Sequence, residues 1–188
     1  MAESVIFVLI AGILLVAFMY VFGVIVDPQV VLGILCILIL PGLYAAFTSG
    51  PFVPSARKRH RTMIKLANIQ SSDIVYDMGC GDGRLVFESA RHAKKAIGYE
   101  LSIPLVLWGK LVGLLRRSKA KIRFGNIWKQ DYSDADVIFC YLMPGAMKKF
   151  YQVVWPHLKK GTRVISNAFQ IHDVQPAQTE EKVYLYIR

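Results

Sequence analysis

The stretch YDMGCGDGR at residues 76–84 places three glycines on alternate positions, directly after an apolar segment that ends in an acid. Glycine lacks a Cβ atom, so such a loop can turn tightly and bring its backbone close to a ligand. A carboxylate at the strand end, here Asp77, suits a ligand with an ammonium group better than a pyrophosphate. The stretch therefore predicts a strand, a ligand-binding loop and a helix in that order.

Strand-like and helix-like segments alternate around this loop. The apolar and amphipathic patterns predict helices at residues 62–69, 84–92, 104–117 and 146–158, and strands at residues 73–79, 95–101, 121–127, 136–143, 162–169 and 182–188. This alternation predicts an α/β fold, a Rossmann-like, doubly wound, mainly parallel sheet with helices on both faces. A further strand either is missing or lies within residues 173–181.

The N-terminal quarter of the chain has a different composition. Asp27 is the only charged residue between Ser4 and Ala56, whereas 23 basic and 11 acidic side chains follow, a net charge of +12. Residues 5–26 are uncharged and long enough for a helix that crosses the roughly 30 Å hydrocarbon core of a membrane. Residues 30–47 form a second, shorter apolar run. We therefore predict that residues 1–48 form a membrane anchor, a transmembrane helical hairpin. A cleaved signal peptide is disfavoured, because the start Met-Ala-Glu-Ser lacks a positive n-region.

The basic cluster RKRHR at residues 57–61 follows the second apolar run, within a predicted juxtamembrane linker at residues 49–61. Basic residues beside a span favour the cytoplasmic side. This rule predicts a multi-pass membrane protein with residues 62–188 as a cytoplasmic domain, in a prokaryotic plasma membrane rather than a mitochondrial inner membrane. The cluster could also contact anionic lipid headgroups.

The cysteines and histidines do not form a metal-ligand spacing. Cys36, Cys80 and Cys140 are widely separated, and the pair His172-Asp173 is more typical of a solvated turn than of a catalytic dyad. We therefore predict reduced thiols and no metal site.

Two adenosine cofactors compete for the glycine loop. A dinucleotide fingerprint needs a third glycine or an alanine at the position of Arg84, which breaks that pattern. The spacing D-x-G-x-G-x-G, from Asp77 to Gly83, instead resembles motif I of the class I S-adenosylmethionine-dependent methyltransferases. Glu100 ends the next predicted strand, where a carboxylate accepts hydrogen bonds from ribose hydroxyls in either case.

The segments PFVPS, VYDMGCGDGRLVFESA, AIGYEL, FGNIW and YLMP resemble the family of the lysine methyltransferases of the ATP synthase c subunit and the adenine nucleotide translocase, with their prokaryotic relatives. The resemblance covers about residues 49–170. It implies S-adenosylmethionine as cofactor. The residues that it implies for cofactor binding are Asp77, Gly79, Cys80, Gly81, Asp82, Gly83, Glu100, Leu101, Asn126, Ile127 and Tyr141.

The same resemblance implies methyl transfer to a lysine amine of a protein, positioned by Phe52, Trp128 and Tyr141. Trp128 could instead be a core aromatic that caps the sheet. Asn126 stands where the family usually has an acid, which affects any role of that acid near the substrate amine. The predicted spans favour a membrane-protein acceptor.

Other functions remain open at this point. A lipid headgroup amine or a quinone could be the acceptor, and a membrane-anchored binding module without turnover is a different class. Nucleic-acid methylation is not expected, because interleaved aromatic and basic residues for base stacking are not evident.

Overall fold

A computed structural model describes residues 27–48 and 57–188. Within these ranges the chain forms five α-helices, with short 3-10 turns at Ile127–Lys129 and Trp155–His157. The helices are α1 (Pro28–Thr48), α2 (Arg57–Ala67), α3 (Arg84–Ser89), α4 (Ile103–Leu115) and α5 (Pro144–Val153).

Seven strands form one sheet: β1 (Ile74–Met78), β2 (Lys95–Glu100), β3 (Lys121–Phe124), β4 (Val137–Cys140), β5 (Arg163–Asn167), β6 (Gln178–Glu180) and β7 (Val183–Ile187). Their order is β3-β2-β1-β4-β5-β7-β6. The first five strands are parallel, while β7 is antiparallel to β5 and β6. The predicted mainly parallel, doubly wound sheet is confirmed.

Apolar side chains cover both faces of the sheet, because successive residues of a strand point to opposite faces. On one face, Met147 and Phe150 of α5 pack against Tyr76 and Met78 of β1. On the other face, side chains of α2, α3 and α4 form a second cluster, which includes Met63, Val86, Val106, Val75 and Phe139. Both faces of the strands are therefore buried, as expected for parallel strands between two helical layers.

The predicted elements of residues 62–188 are present, but most of their boundaries shift by a few residues. α2 begins at Arg57, five residues before the predicted start of this helix, so the basic cluster forms its first turns. Lys58 and Lys65 of this helix form ion pairs with Glu181 and Glu180, which hold it against the β6–β7 end of the sheet. The uncertain strand lies at Gln178–Glu180, within the segment 173–181.

Of the N-terminal predictions, only the second apolar run falls within the described residues. It forms α1, a helix of 21 residues with Pro41 inside it. Within residues 27–48 and 57–188, no helix has both the length and the apolarity required to cross a membrane. The structure therefore does not support the predicted span at residues 30–47, and residues 5–26 and Phe52 lie outside the described ranges.

The strand order shows at which point along the sheet a ligand is expected to bind. The chain proceeds outward from β1 through β2 to β3, then returns to the other side of β1 with β4. In open parallel sheets, ligands bind beyond the carboxyl ends of the strands where the order reverses. This point lies between β1 and β4, directly beside the glycine loop.

Candidate active site

The glycine loop is held by the end of β2. The backbone N–H groups of Gly79 and Cys80 both donate to the Tyr99 carbonyl at 3.0 Å. Gly79, Gly81 and Gly83 all have positive φ, at 80°, 55° and 82°, which a side chain would strain. The alternate glycines therefore let the backbone adopt the left-handed conformation at three of five successive residues, which agrees with the predicted tight loop.

Gly98 of β2 allows this loop to pack closely. A Cβ atom at Gly98 would lie 2.5 Å from both Cβ and Sγ of Cys80, and 2.7 Å from Val86 Cγ2. Burial raises the pKa of the Cys80 thiol, so Cys80 is a neutral packing group beneath the loop. Sequence reasoning did not identify Gly98, because this residue belongs to no motif. Its role in loop packing is visible only from the contact with Cys80.

Glu100 organises the loops that follow β1 and β2. One carboxylate oxygen accepts the Gly81 N–H at 2.9 Å, and the other accepts the N–H groups of Leu101 and Ser102, each at 2.8 Å. Burial raises the pKa of Glu100, while these three donors act in the opposite direction. A carboxylate oxygen accepts about two hydrogen bonds, so the oxygen bonded to Gly81 still has capacity for a ligand hydroxyl.

Asp77 is a buried acid near Glu100. Burial, together with the charges of Glu100 and Asp82, raises the pKa of Asp77 to about 8. Among the ion pairs of the described residues, none involves Asp77 or Glu100. Two buried acids with no basic partner fit a cationic ligand, because its charge would favour the ionised form of Asp77. S-adenosylmethionine carries a sulfonium and an ammonium group, so these residues fit it.

Asp82 and His60 stand at the outer side of the loop. Asp82 accepts from the Arg84 guanidinium at 2.6 Å, so this acid supports the turn into α3. The His60 ring from α2 is half-buried, and its Nε2 has no hydrogen-bond partner among the described residues. Burial lowers the pKa of His60, so the ring is neutral at pH 7. Sequence reasoning assigned His60 only to the basic cluster.

The loop after β3 is stabilised by Asn126. Its side-chain oxygen accepts the Trp128 N–H at 2.9 Å and caps the 3-10 turn. Ile127 is buried in the core, and the half-buried Trp128 packs against the same cluster. The Lys149 ammonium lies 4.6 Å from the centre of the Trp128 ring. Binding of adenine by Asn126 and Ile127, and of substrate by Trp128, stays a prediction, and the core contacts agree with the alternative interpretation of Trp128.

Tyr141 directly follows β4, on the other side of the switch point. Met78 is paired with Cys140 across β1 and β4, so the glycine loop and Tyr141 leave the sheet side by side. The Tyr141 ring stacks on Phe169, with centroids 6.3 Å apart and an angle of 25° between the planes. Phe169 was missed, although it follows β5, and the carboxyl ends of parallel strands meet at one edge.

A cavity of about 590 Å³ opens beside this aromatic pair. Its walls include Phe169, Ile171 and Tyr184, and the start of α5 at Pro144. Apart from the tyrosine, the ionisable side chains of its described lining are His172 and Asp173. Among the residues described, no group of histidines, cysteines and acids is arranged to hold a metal ion.

Comparison with known proteins agrees with this geometry. The model of the ANTKMT methyltransferase domain matches residues 77–178. A protein-lysine N-methyltransferase of Saccharolobus islandicus is 32% identical over 150 residues, which are 73% of this chain and 92% of the relative. The lysine N-methyltransferase of the ATP synthase c subunit from Homo sapiens is 29% identical over 122 residues, 63% of this chain. The alignment spans only 52% of that human relative.

A solved structure gives the same result for the fold. An RNA methyltransferase from Salinibacter ruber, in complex with S-adenosyl-L-homocysteine, superposes with a TM-score of 0.65. It is 29% identical, and the match covers 72% of this chain and 93% of the other. The glycine loop, the paired buried acids and these similarities together indicate one cofactor. The chain belongs to the ANTKMT methyltransferase-domain family and is an S-adenosylmethionine-dependent methyltransferase.

Proposed function

We propose that this enzyme methylates a lysine side chain of a protein that lies in or at a membrane. The main support is the aromatic pair Tyr141–Phe169 beside the cavity after β4 and β5, next to the glycine loop. A cavity with aromatic and aliphatic side chains in its wall suits the aliphatic stem of a lysine. The names of the Saccharolobus and human relatives, both lysine N-methyltransferases, support the same acceptor.

In the proposed reaction, Asp77, Glu100 and the backbone of the glycine loop hold the cofactor. When bound, S-adenosylmethionine supplies a methyl group on a sulfonium sulfur, which is a good leaving group. Because the chemistry is easy, the protein mainly has to align the reactants and exclude water. The three backbone donors to Glu100 keep this half of the site rigid before substrate arrives.

The acceptor amine has to be neutral when it reacts, although the unperturbed pKa of lysine is about 10.4. An apolar, aromatic surrounding disfavours the ammonium form and lowers that pKa. Tyr141, Phe169 and Ile171 would act in this direction, whereas the Asp173 carboxylate in the same cavity lining would act in the opposite one. The proton would pass to water at the mouth of the cavity. The ammonium loses one proton to water before the neutral nitrogen takes the methyl group. The sulfonium charge disappears when the neutral thioether leaves, and the methylated amine and the released proton carry the two positive charges of the reactants.

The membrane location is supported by the uncharged residues 5–26 and by the apolar surface of α1. Large side chains of α1 are exposed, among them Leu32 and Ile37, which are 62% and 64% exposed. Under the positive-inside rule, the basic cluster that begins α2 favours the cytoplasmic side for the catalytic domain. A substrate close to the bilayer would be within reach of a domain attached in this way.

Incubation of membranes from a strain that lacks the enzyme, with purified enzyme and methyl-labelled S-adenosylmethionine, tests this proposal. Label in membrane protein, recovered as methyllysine after acid hydrolysis, is the expected result. Label in lipid or in nucleic acid would overturn it. The Asp77→Asn variant serves as a control for unspecific transfer, and absence of label with normal cofactor binding would indicate a binding module.

A further inference from the structure

Helix α4 is apolar on both of its faces. Val106 and Gly109 face the sheet and are buried, as expected for a helix that covers a parallel sheet. The opposite face carries exposed large apolar residues: Leu107, Trp108, Leu111, Leu114 and Leu115. At about 100° per residue, these five side chains lie within an arc of about 120°. Leu114 and Leu115 are 76% and 75% exposed. Together the five residues form a contiguous apolar patch, which marks an interaction site, whereas isolated exposed leucines are common on protein surfaces.

Cations border this apolar arc on the side of β3. The exposed basic residues are Lys110 on α4, Arg116, Arg117 and Lys119 in the following turn, and Lys121 and Arg123 on β3. Among the described residues, none of these six pairs with a carboxylate. In contrast, Lys58 and Lys65 of α2 are paired with acids. Arg116 lies over the Phe87 ring and Arg123 reaches the Tyr99 hydroxyl, but no acid among the described residues neutralises the positive charge on this side of the domain.

A groove lies between the apolar arc and the cations. It has a volume of about 430 Å³ and is formed by the end of α4 and by β3. Gly113 and Leu114 line one wall, and Lys110 and Arg117 supply charge on the α4 side. Lys121 and Arg123 of the edge strand also line the groove, but their side chains point to the opposite face from Ile122, and the Arg123 guanidinium donates to the Tyr99 hydroxyl at 3.5 Å. The groove thus combines an apolar wall with the cations Lys110 and Arg117, which matches the junction between the acyl chain and the phosphate of a phospholipid.

We propose that α4 and the groove beside it form a docking surface for a bilayer that contains anionic phospholipid. The leucines and Trp108 enter the boundary between headgroups and acyl chains, while the bordering cations contact lipid phosphates. Interfacial helices bind membranes through this combination of buried apolar area and attraction to anionic lipid. α1 contacts α4, and the exposed apolar side chains of α1 extend the same apolar surface.

This surface goes beyond the proposed anchor, because it lies on the catalytic domain itself and determines how that domain faces the bilayer. α4 begins after the carboxyl end of β2 and ends before the amino end of β3, so Leu114 and Leu115 lie toward the amino edge of the sheet, opposite the cofactor loops. Docking through α4 would therefore orient the domain with that edge near the membrane. It rests on the membrane location proposed above, but not on lysine as the acceptor.

A spin label on the full chain tests the docking surface. Leu114→Cys is labelled in a Cys36→Ser background, since Cys80 and Cys140 are buried. Gln152→Cys on the exposed side of α5 is the matched position. The proteins are reconstituted in phosphatidylcholine vesicles with or without phosphatidylglycerol, and collision with a water-soluble nickel reagent is measured. Phosphatidylglycerol should lower the accessibility of position 114 severalfold and leave position 152 unchanged.

A charge test completes the experiment. The triple variant Lys110→Gln, Arg117→Gln, Lys119→Gln should lose the effect of phosphatidylglycerol. The matched triple Lys94→Gln, Lys148→Gln, Lys160→Gln, with equal charge removed from other surfaces, should keep it. Both variants should bind S-adenosyl-L-homocysteine like the parent.

Several results would overturn the docking surface. One is equal accessibility at positions 114 and 152 on anionic vesicles. Another is low accessibility of position 114 in the absence of lipid. If this shielding increases with protein concentration, a second copy of the chain covers the surface, and if it does not, residues 5–26 cover it. The docking surface is also contradicted if position 114 is shielded equally with and without phosphatidylglycerol, or if the first triple variant keeps the effect of phosphatidylglycerol. Because no methyl acceptor is present, failure of the lysine proposal would leave these measurements unaffected.

Discussion

The carboxyl edge of the sheet has two ends that are built differently. At the β1–β2 end, Glu100 and the Tyr99 carbonyl bind the backbone of the loops, so polar contacts fix the shape. At the β4–β5 end, Tyr141 and Phe169 meet through aromatic faces beside an open cavity. The first end suits the cofactor, a ligand that has the same shape in every turnover. The second is open and bordered by aromatic rings, which suits an acceptor side chain that arrives on another molecule.

This difference predicts that substitutions at the two ends separate cofactor binding from acceptor methylation. The largest effect is expected for Asp77→Asn at the β1–β2 end. Removing a buried charge that faces a cationic ligand costs about 2 kcal/mol or more, which is about 30-fold in affinity. Calorimetric titration with S-adenosylmethionine at pH 8.5 measures this loss. Normal affinity of the variant would contradict the role of Asp77.

The pKa of Asp77, about 8, adds a dependence on pH. Between about pH 4 and 8 the folded protein keeps a proton on Asp77 that the unfolded chain has released, so the free energy of unfolding falls as the pH rises through this window. Binding of a cation displaces this proton, so affinity should rise by up to about tenfold per pH unit from pH 6 to 8. Asp77→Asn should reduce both slopes and leave the contribution of Glu100, whose pKa is also raised, as urea unfolding and titration across this range would show.

The second effect in size concerns packing beneath the loop. Gly98→Ala places a methyl group 2.5 Å from the Cys80 side chain, and overpacking of this kind costs about 1–3 kcal/mol. The free energy of unfolding should fall by that amount, and cofactor affinity should fall because the loop moves. Gly145→Ala in α5 is the control: a Cβ there meets nothing within 4 Å, so its stability should stay within about 1 kcal/mol of the parent.

A smaller and more selective effect is expected at the β4–β5 end. Phe169→Ala removes the ring that stacks on Tyr141, and kcat/KM for the methyl acceptor should fall about tenfold, or about 1.4 kcal/mol. Cofactor affinity should stay unchanged. Steady-state kinetics with labelled cofactor, beside a binding titration, separates the two. A parallel loss of cofactor affinity would show that the two ends are not independent.

The smallest effect is expected at Asn126, which caps the turn after β3. Asn126→Ala removes the acceptor for the Trp128 N–H and should lower the free energy of unfolding by about 1 kcal/mol. Asn126→Asp keeps a capping oxygen, so its stability should resemble that of the parent. If the aspartate variant also methylates faster, the acid that the family usually has at this position contributes to turnover.

Much of the fold follows from local patterns. The alternating segments predicted the first five strands and α3 to α5 nearly in place, because buried parallel strands are apolar runs and glycine loops mark their ends. The weakest region was the segment 173–181, where β6 has only three residues and is defined by pairing with β7. A strand so short has no periodicity of its own.

The sequence by itself determined the cofactor loop, because the spacing of Asp77, three glycines and Glu100 is a local requirement of backbone and charge. Only the tertiary structure decided which residues complete the site. Gly98, His60 and Phe169 belong to no sequence motif, and only their contacts in the folded chain place them near the glycine loop or the cavity. The same holds for α4: its sequence is typical of a buried helix, and only its place at the outside of the sheet leaves one apolar face exposed.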